Sequence, residues 1–249
     1  MNDTLTDTVP TPLGQSLSDL IVDHTEFFST LSHELRSPLA AIKGFSQTLV
    51  VHWHDLSEER KLDYLEHVLR ATTRLERLVG DISLSARLVD GVDLAPASLP
   101  LAEIMDQALI EARSLYPQRV FLLEAPAEEV RALADRERLL QVLINLLENA
   151  AKYSPVAEPI ALAWQAEGSM ARAEIRDSGL SLSQAEQASL FRRYGRLPSN
   201  SHAGGNQSGS GLGLYICKGL IEAMHGSIGT AAGPEGQGNV FWFTVPLAG

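Results

Sequence analysis

Three groups of polar residues in this sequence combine residue types and spacings that chemical catalysis can use. In the first group, His33 and Glu34 are adjacent, and Ser37 follows His33 by about one helical turn. A neutral imidazole is a nucleophile near neutral pH, because its pKa is about 6.5. Glu34 could hold the ring tautomer and accept the departing proton. A surface histidine without a function is the alternative interpretation of the same spacing.

A second group lies within "DRERLLQVLINLLENAAKYSP", which has the periodicity of a helix with a leucine face toward a core. Asn145, Asn149 and Lys152 follow i, i+4, i+7 spacing and share one stripe. The stripe could simply be solvated, but Glu, Lys and Gln would form a solvated helix face better than asparagine. The side-chain carbonyl of Asn149 suits Mg²⁺, and the ammonium of Lys152 can meet phosphates as a point charge.

The third group is divided between a strand end and a glycine-rich segment. In "EIRDSGLSLS" a strand is predicted to end at Asp177, with Gly179 two residues later. Such a pair often marks only a turn, but Asp177 could accept the exocyclic amino proton of adenine while Gly179 allows close approach. In "GGNQSGSGLGLYICKGL" the glycines open onto an amphipathic helix, whose free N–H groups form an anion site. A flexible linker is the alternative there. The residues concerned are Gly209, Gly211, Leu212 and Gly213.

The residues around His33 follow the spacing of an amphipathic helix. At about 100° per residue, His33 lies about 200° from Leu31, opposite the apolar seam and toward solvent. Pro38 within the seam should bend the helix, because it removes a backbone donor. Ser57 is predicted to cap a second helix after a break. The two seams are Leu31, Leu35, Pro38, Ile42, Phe45 and Leu49, and then Leu65, Val68, Thr72, Leu75, Val79, Ile82 and Ala86.

Two such helices joined by a short loop cannot bury both seams alone. The economical solution is a homodimer in which two hairpins form a four-helix bundle. A coiled-coil linker is the alternative on periodicity alone.

The rest of the chain is predicted to be an α/β sandwich, a sheet with helices on one face. "RLVDGVDLAPASLP" is rich in turn formers and prolines and predicts a linker between domains. The sequence predicts helices at 100–115, 136–153 and 211–225, and strands near 119–124, 129–134, 159–167, 170–177, 227–232 and 239–246.

The stretch "FFSTLSHELRSPLAAI" resembles the phosphoacceptor box of the two-component sensor histidine kinases. The other two groups resemble, in the family's own order, the nucleotide-binding boxes of its catalytic domain. "LFRRYGRL" resembles the aromatic box of the family's ATP lid, and "GPEGQGNVFWFTVPL" resembles its terminal hairpin. The resemblance runs from about Phe27 to Leu247. It places Asn145, Asn149, Lys152 and Tyr153 in the first box, Asp177 and Gly179 in the second, and Gly209, Gly211, Leu212 and Gly213 in the third.

This resemblance implies an α+β protein, with a dimerising helical hairpin followed by a Bergerat-type ATP-binding domain. It implies ATP and Mg²⁺ as cofactors, with Asn149 as the metal ligand. His33 would take the γ-phosphoryl group and pass it to an aspartate on a separate response regulator receiver. The implied divisions are 1–20, a tail or the start of a signalling helix; 21–90, the dimerisation and phosphotransfer hairpin; 91–99, a linker; and 100–249, the catalytic domain.

Related ATPases of this fold place a glutamate one turn before the metal-binding asparagine, where it activates water. This chain has Asn145 there, and an amide is not a general base. ATP should therefore persist until His33 attacks it, which favours a kinase over an ATPase.

Two departures from the family pattern motivate further hypotheses. Ser181 replaces the second glycine of the usual D-x-G-x-G, so a signalling scaffold with weakened ATP use is the alternative function. Ser37 stands where a Thr or Asn commonly orients the water that dephosphorylates the receiver. Its hydroxyl shares the face of His33, so response-regulator phosphatase activity stays open.

Composition excludes some other classes. With 31 acidic and 20 basic residues the net charge is −11, which argues against nucleic acid and against anionic membrane surfaces. The lone cysteine, Cys217, suits a reducing compartment. No apolar run has the about 20 residues of a membrane helix. We therefore expect a cytoplasmic protein, or the cytoplasmic part of a longer sensor whose input arises elsewhere.

Overall fold

The computed structural model describes residues 13–192 and 211–248, and the chain divides into two compact units. The first unit extends to Glu76 and the second begins at Arg77. Helix α2 runs without interruption through that boundary. The two helices of the N-terminal part are α1 (Leu13–His52) and α2 (Glu58–Asp90).

Within the first unit, α1 and the beginning of α2 form the predicted hairpin. Helix α1 continues through Pro38, so the proline does not end it. The Ser57 cap is confirmed, because the Arg60 backbone N–H donates to Ser57 Oγ at 3.3 Å. Between the helices the Phe45 ring stacks on His67, with ring centroids 4.6 Å apart.

The second apolar seam is only partly buried in the single chain, as expected if a second copy is needed to cover it. Ala71 is buried against α1, whereas Leu65 and Leu69 are exposed. The hairpin uses its aromatic contacts and small residues for its own interface and leaves a separate apolar strip uncovered. This apolar strip consists of Leu62, Leu65 and Leu69 on α2. Leu39 on α1 is also exposed.

The second unit is built on a five-stranded mixed sheet in the order β2-β4-β5-β7-β6. Only the β2–β4 pair is parallel among the pairs of this sheet, and the others are antiparallel. A separate antiparallel pair joins β1 to β3. The strands are β1 (Ala97–Pro100), β2 (Phe121–Glu124), β3 (Arg131–Ala134), β4 (Ile160–Glu167), β5 (Met170–Asp177), β6 (Ile228–Ala232) and β7 (Asn239–Pro246).

The helices of the second unit form the core with one face of the sheet. Alternate residues of β5 and β7 are buried, which is the pattern of strands covered on one side. On the opposite face the Arg172 guanidinium lies 4.5 Å from the centre of a Trp242 ring. The helices are α3 (Leu101–Leu115), α4 (Arg136–Tyr153), α5 (Gln184–Ser189) and α6 (Gly213–Ala223).

The last turns of α2 belong to the second unit. Leu78, Asp81, Leu84 and Ser85 are all buried. A Cβ on Gly219 of α6 would lie 2.7 Å from the Leu88 methyl carbons, so Gly219 lets the Leu88 side chain pack closely against α6. The described helices contain no stretch long and apolar enough to cross a membrane.

A strand and an α-helix in the described part of the second unit were not predicted. Strand β1 occupies part of the predicted linker and pairs with β3, residue Ala97 opposite Ala134. Helix α5 is a short helix begun by a capping box, in which Ser183 and Glu186 exchange hydrogen bonds. The predicted long elements agree with the observed bounds to within about two residues, which is the ordinary uncertainty of helix and strand ends.

Candidate active site

The histidine box lies on the accessible side of α1. His33 and Ser37 are both exposed, as their helical phase predicts. Between α1 and α2, the groove beside Ser37 is lined by Phe45, His67, Arg70 and Arg74, so apolar and basic groups meet next to the histidine turn.

Glu34 is buried although it is charged. Its residue is only 4% exposed, and Oε2 accepts a hydrogen bond from Arg74 Nη2 of α2 at 2.9 Å. A buried carboxylate requires such a partner, because desolvation of an unpaired charge is costly. Arg74 therefore fixes the position of the Glu34 side chain, which directly follows His33 in the sequence. Sequence spacing did not predict Arg74.

The polar stripe of α4 is present and half-buried. Leu139, Leu143 and Leu146 are fully buried on the opposite side and anchor the helix. Asp135 caps it, since the Arg138 backbone N–H donates to Asp135 Oδ1 at 3.1 Å. These contacts hold Asn145, Asn149 and Lys152 on one face, half-buried at the edge of the core.

Asn145 has an unfilled hydrogen-bond requirement. Its Nδ2 is buried and makes no hydrogen bond to an oxygen or nitrogen of the described residues, and its near neighbour is the Cys217 thiol, whose pKa the Asn145 side chain lowers against the larger effect of burial. A thiol is a weak hydrogen-bond acceptor, so this amide can still donate to a stronger acceptor. The Cβ position of Gly213 lies 3.9 Å from Asn145 Cγ, so the start of α6 adjoins this amide.

Asp177 is held at the end of β5 by two donors. It is 7% exposed, and Oδ1 accepts from the Gly179 backbone N–H at 2.7 Å and from Asn239 Nδ2 at 3.2 Å. Burial raises the pKa of the Asp177 carboxyl, and the two hydrogen bonds oppose that rise. Both donors approach the same oxygen, which leaves Oδ2 as the acceptor for another group.

Gly179 must be glycine for a steric reason. An added Cβ would lie 2.9 Å from Asp177 Oδ1 and 3.0 Å from the Tyr153 carbonyl oxygen. The end of α4 is also bonded to this turn, because the Ser178 backbone N–H donates to Ser154 Oγ at 3.1 Å. The first and second boxes therefore meet at Tyr153 and Gly179, and the first and third meet at Asn145 and Gly213.

The third box is described only in part. Gly211 has a φ of +67°, a left-handed conformation that favours glycine, and Leu212 is fully buried just before α6 begins at Gly213. Gly209 lies outside the described residues. The same holds for Arg193 and Arg196 of the predicted lid, whereas Arg192 is described and exposed.

Both halves of the chain match known families. The family model for the His Kinase A (phospho-acceptor) domain matches residues 23–91. The model for the Histidine kinase-, DNA gyrase B-, and HSP90-like ATPase matches residues 134–249. The chain belongs to the sensor histidine kinases of two-component systems.

Relatives and solved structures of sensor histidine kinases resemble the chain over most of its length. Drug sensory protein A of Synechocystis sp. is 31% identical over 90% of the chain, which spans 35% of that relative's length. The structure of full-length ShkA in complex with AMPPNP has a TM-score of 0.63 and 26% identity, covering 90% of this chain and 46% of ShkA.

Histidine kinase ThkA in complex with response regulator protein TrrA is similar in fold. Its TM-score is 0.63 at 23% identity, and the match covers 99% of this chain and 68% of the ThkA chain. The chain spans only about a third of the length of Drug sensory protein A.

Several side chains of the domain that matches the ATPase family have the chemistry that a bound nucleotide requires. The amide of Asn145, the tight turn at Gly179 and the carboxylate of Asp177 are groups of the kind that fit a nucleotide. The amide oxygen of Asn149 and the ammonium of Lys152 supply the donor set for a hard cation and for phosphates.

One buried polar residue that holds Asp177 was not found from the sequence. Asn239 is buried, and besides its bond to Asp177 its Nδ2 donates to the Leu180 carbonyl at 3.0 Å. Its Oδ1 accepts from the Leu182 backbone N–H at 3.0 Å. A signal existed, because Asn239 occupies the inward-facing register that Phe241 and Phe243 continue, where a polar side chain is unusual.

Ser181 does not force the strain that motivated the scaffold hypothesis. Among the described residues His225 is the one non-glycine residue with positive φ, so Ser181 has a backbone conformation open to any residue. Its Oγ donates to the Gly236 carbonyl at 2.7 Å, which ties the second box to the turn before β7. The serine adds a contact in place of the glycine's freedom.

Proposed function

We propose that this chain catalyses transfer of the γ-phosphoryl group of ATP to His33 and then to an aspartate of a separate response regulator. Two contacts of helix α4 carry this proposal: Asn145 adjoins Gly213 at the start of α6, and Tyr153 at its end adjoins Gly179, which is bonded to Asp177. One helix therefore brings a side-chain amide, a buried carboxylate and a helix N-terminus to the positions where ATP would be bound.

Adenine would be bound at Asp177. The carboxylate oxygen Oδ2 accepts a proton of the exocyclic amine, while Asn239 and Gly179 hold Oδ1 and so fix the carboxylate plane. An acceptor fixed in this way selects a base with an amino group at that position over one with a carbonyl. ATP should therefore be preferred to GTP.

The triphosphate would lie between α4 and the start of α6. Lys152 supplies a positive charge, Asn145 donates through its amide, and the N-terminal N–H groups of α6 from Gly213 complete an anion site. Mg²⁺ held by the side-chain oxygen of Asn149, when bound, neutralises charge on the transferring oxygens.

Phosphoryl transfer requires an imidazole nitrogen of His33 in line with the γ-phosphorus. The nitrogen lone pair forms the N–P bond, the bond from phosphorus to the β–γ bridging oxygen breaks, and ADP departs. Glu34 accepts the imidazole proton, and Arg74 holds that carboxylate in place. Asn145 cannot activate water, so hydrolysis competes poorly.

The phosphoryl group would then pass to a receiver aspartate. The groove between α1 and α2 beside Ser37, one helical turn after His33, offers apolar and basic side chains. ThkA has been seen in complex with the response regulator TrrA, which supports such a partner for this chain. We propose that the Ser37 hydroxyl orients the water that dephosphorylates the receiver.

The assembly proposed for the kinase is a homodimer acting in the cytoplasm. The apolar strip of Leu62, Leu65 and Leu69 is the surface that a second copy would cover, forming a four-helix bundle. The functional divisions proposed remain a phosphotransfer hairpin at 21–90, a linker at 91–99 and a catalytic domain at 100–249.

Incubation with γ-labelled ATP and Mg²⁺ tests the proposal. The wild-type chain should acquire a label that acid removes and alkali does not, as expected of a phosphoramidate. His33→Gln and Asn149→Asp should abolish it, whereas His52→Gln, which changes an exposed histidine of α1, should keep it. A label that persists in His33→Gln would refute His33 as the acceptor.

A further inference from the structure

Four charged side chains from two helices meet beside the proposed phosphate site. Arg77 and Asp81 are one turn apart on α2, and Glu148 and Lys152 are one turn apart on α4. Glu148 is only 4% exposed and directly precedes Asn149, the proposed metal ligand. Its two oxygens have different partners: Arg77 Nη1 donates to Oε1, and Lys152 Nζ donates to Oε2 at 3.1 Å.

One buried carboxylate is therefore shared by two cations. A buried carboxylate without a partner is very unfavourable. If one cation is lost, Glu148 therefore holds the remaining cation more strongly. Asp81 is the second acid of the group. It is 9% exposed, and burial raises its pKa to about 6, with Arg77 and Lys152 lowering the value and Glu148 raising it. The four charges are balanced when both acids are ionised.

The balance determines how freely Lys152 can leave Glu148. While Arg77 occupies Oε1, the carboxylate keeps a partner after the Lys152 ammonium turns toward a phosphate. Without Arg77 the same movement would strand a buried negative charge. The cost of that stranded charge would be subtracted from the affinity for phosphate.

We propose that Arg77 is a positioning residue for the triphosphate, which acts through Glu148 to leave Lys152 available for phosphate oxygens. The inference rests on the proposed function, because it needs Lys152 to bind phosphate. It adds a residue of α2, outside the three nucleotide-binding boxes, to the determinants of ATP affinity.

The sign of the effect separates this role from simple orientation of Lys152 by Glu148. If Glu148 oriented Lys152 for phosphate, its removal would weaken ATP binding. If Glu148 competes with phosphate and Arg77 relieves the competition, removal of Arg77 weakens binding and removal of the Glu148 charge restores it.

The test measures dissociation constants of ATP–Mg²⁺ for the full chain by titration calorimetry. Arg77→Met should weaken binding by about tenfold, since a buried charge then depends on Lys152 alone. Glu148→Gln should bind as tightly as wild type or tighter, and the double variant should match Glu148→Gln. Arg77→Lys, which keeps the charge, should stay within about threefold of wild type.

Binding of adenosine separates a phosphate-specific role of Arg77 from a general structural role, because structural damage would weaken adenosine binding as well. It lacks phosphates, so its dissociation constant should be the same for wild type and Arg77→Met. Arg172→Met is the matched control. It removes an arginine paired with Glu174 on β5, at 2.9 Å, and should leave ATP binding unchanged.

Lys152→Met distinguishes the two levels of the argument. If it leaves ATP affinity unchanged, the phosphate role in the proposed function fails. If Lys152→Met weakens ATP binding but Arg77→Met does not, the inference about Arg77 is overturned. It is equally overturned if the double variant binds as weakly as Arg77→Met, or if Arg77→Met weakens adenosine to the same extent.

Discussion

Asn239 of β7 donates its side-chain amide to Asp177 of β5 across a directly paired position of the sheet, with 3.2 Å between Nδ2 and Oδ1. The same amide also donates to the Leu180 carbonyl, so one side chain orients the Asp177 carboxylate and closes the turn after it. Asn239 thus connects β7 to the carboxylate at which we propose that adenine binds.

Asn239→Ala should weaken ATP binding by about tenfold, because a net hydrogen bond to a charged group contributes about 1.5–3 kcal/mol and part of the turn also loosens. Asn239→Asp should be worse, since it places a second carboxylate against Asp177. Calorimetric titration with ADP measures both. Equal ADP affinity in wild type and Asn239→Ala would contradict the role given to Asn239.

Gly179→Ala should reduce nucleotide binding by about two orders of magnitude or abolish it, because a Cβ forces Asp177 or the end of α4 to move. Gly80→Ala is the matched control, since a Cβ at that helical position meets nothing within 4 Å. It should stabilise α2 by up to about 1 kcal/mol. Fluorescence-monitored urea unfolding and ADP titration give the two readouts. Unchanged ADP affinity in Gly179→Ala would remove the steric argument.

Asp81 gives a pH dependence whose sign follows from its raised pKa. The pKa is about 6 in the folded chain against 3.8 for the ordinary group, so the folded state favours the protonated form. That contribution is complete below pH 3.8 and is lost as the pH rises through about 6. Asp81→Asn, which is neutral at every pH, should therefore exceed wild type in unfolding free energy by about 2–3 kcal/mol at pH 8 and by little at pH 4.

Urea unfolding of both proteins at pH 4, 6 and 8 measures this difference. A stability difference that does not grow between pH 4 and pH 8 would show that Asp81 titrates normally.

Ser181→Gly should not raise the autophosphorylation rate, because Ser181 already has an unstrained backbone. The change removes the Ser181 Oγ bond to the Gly236 carbonyl and adds freedom to the unfolded chain, so stability should fall by about 1 kcal/mol. Single-turnover labelling with saturating ATP compares the rates. A clear gain of rate in Ser181→Gly would revive the hypothesis of a weakened kinase.

Glu34→Gln should lower the phosphorylation rate of His33 by about a hundredfold while ATP affinity stays constant, because the amide keeps the shape but cannot accept the proton. Glu66→Gln is the control, since Glu66 forms an exposed pair with Arg70 on α2. Quench-flow labelling separates the rate from binding. An undiminished rate in Glu34→Gln would assign the proton to another acceptor.

Local signals were sufficient to predict most helices and strands. Helix α4 was predicted at 136–153 and is found at Arg136–Tyr153, because the Asp135 cap and the leucine repeat are both encoded within one stretch of sequence. The site residues of its polar stripe followed from the same periodicity. The family resemblance rested on such contiguous boxes, and the family matches confirm it.

Features formed by distant segments could not be predicted in this way. Strand β1 is four residues long and exists through its pairing with β3, more than thirty positions later. Asn239 becomes a site residue only when β7 lies beside β5, and Arg77 only when α2 packs near Glu148. Each depends on a register or a packing geometry that no short pattern contains.

Because α2 contributes buried residues to the second unit, the choice of splice point matters for anyone building chimaeric kinases. A graft that begins at residue 91 would discard Leu84, strip Leu88 from Gly219 and deprive Glu148 of its arginine. A graft that begins at or before Arg77 would carry these partners with it. The transferable cassette is therefore the ATP-binding fold together with the last turns of the helix that precedes it.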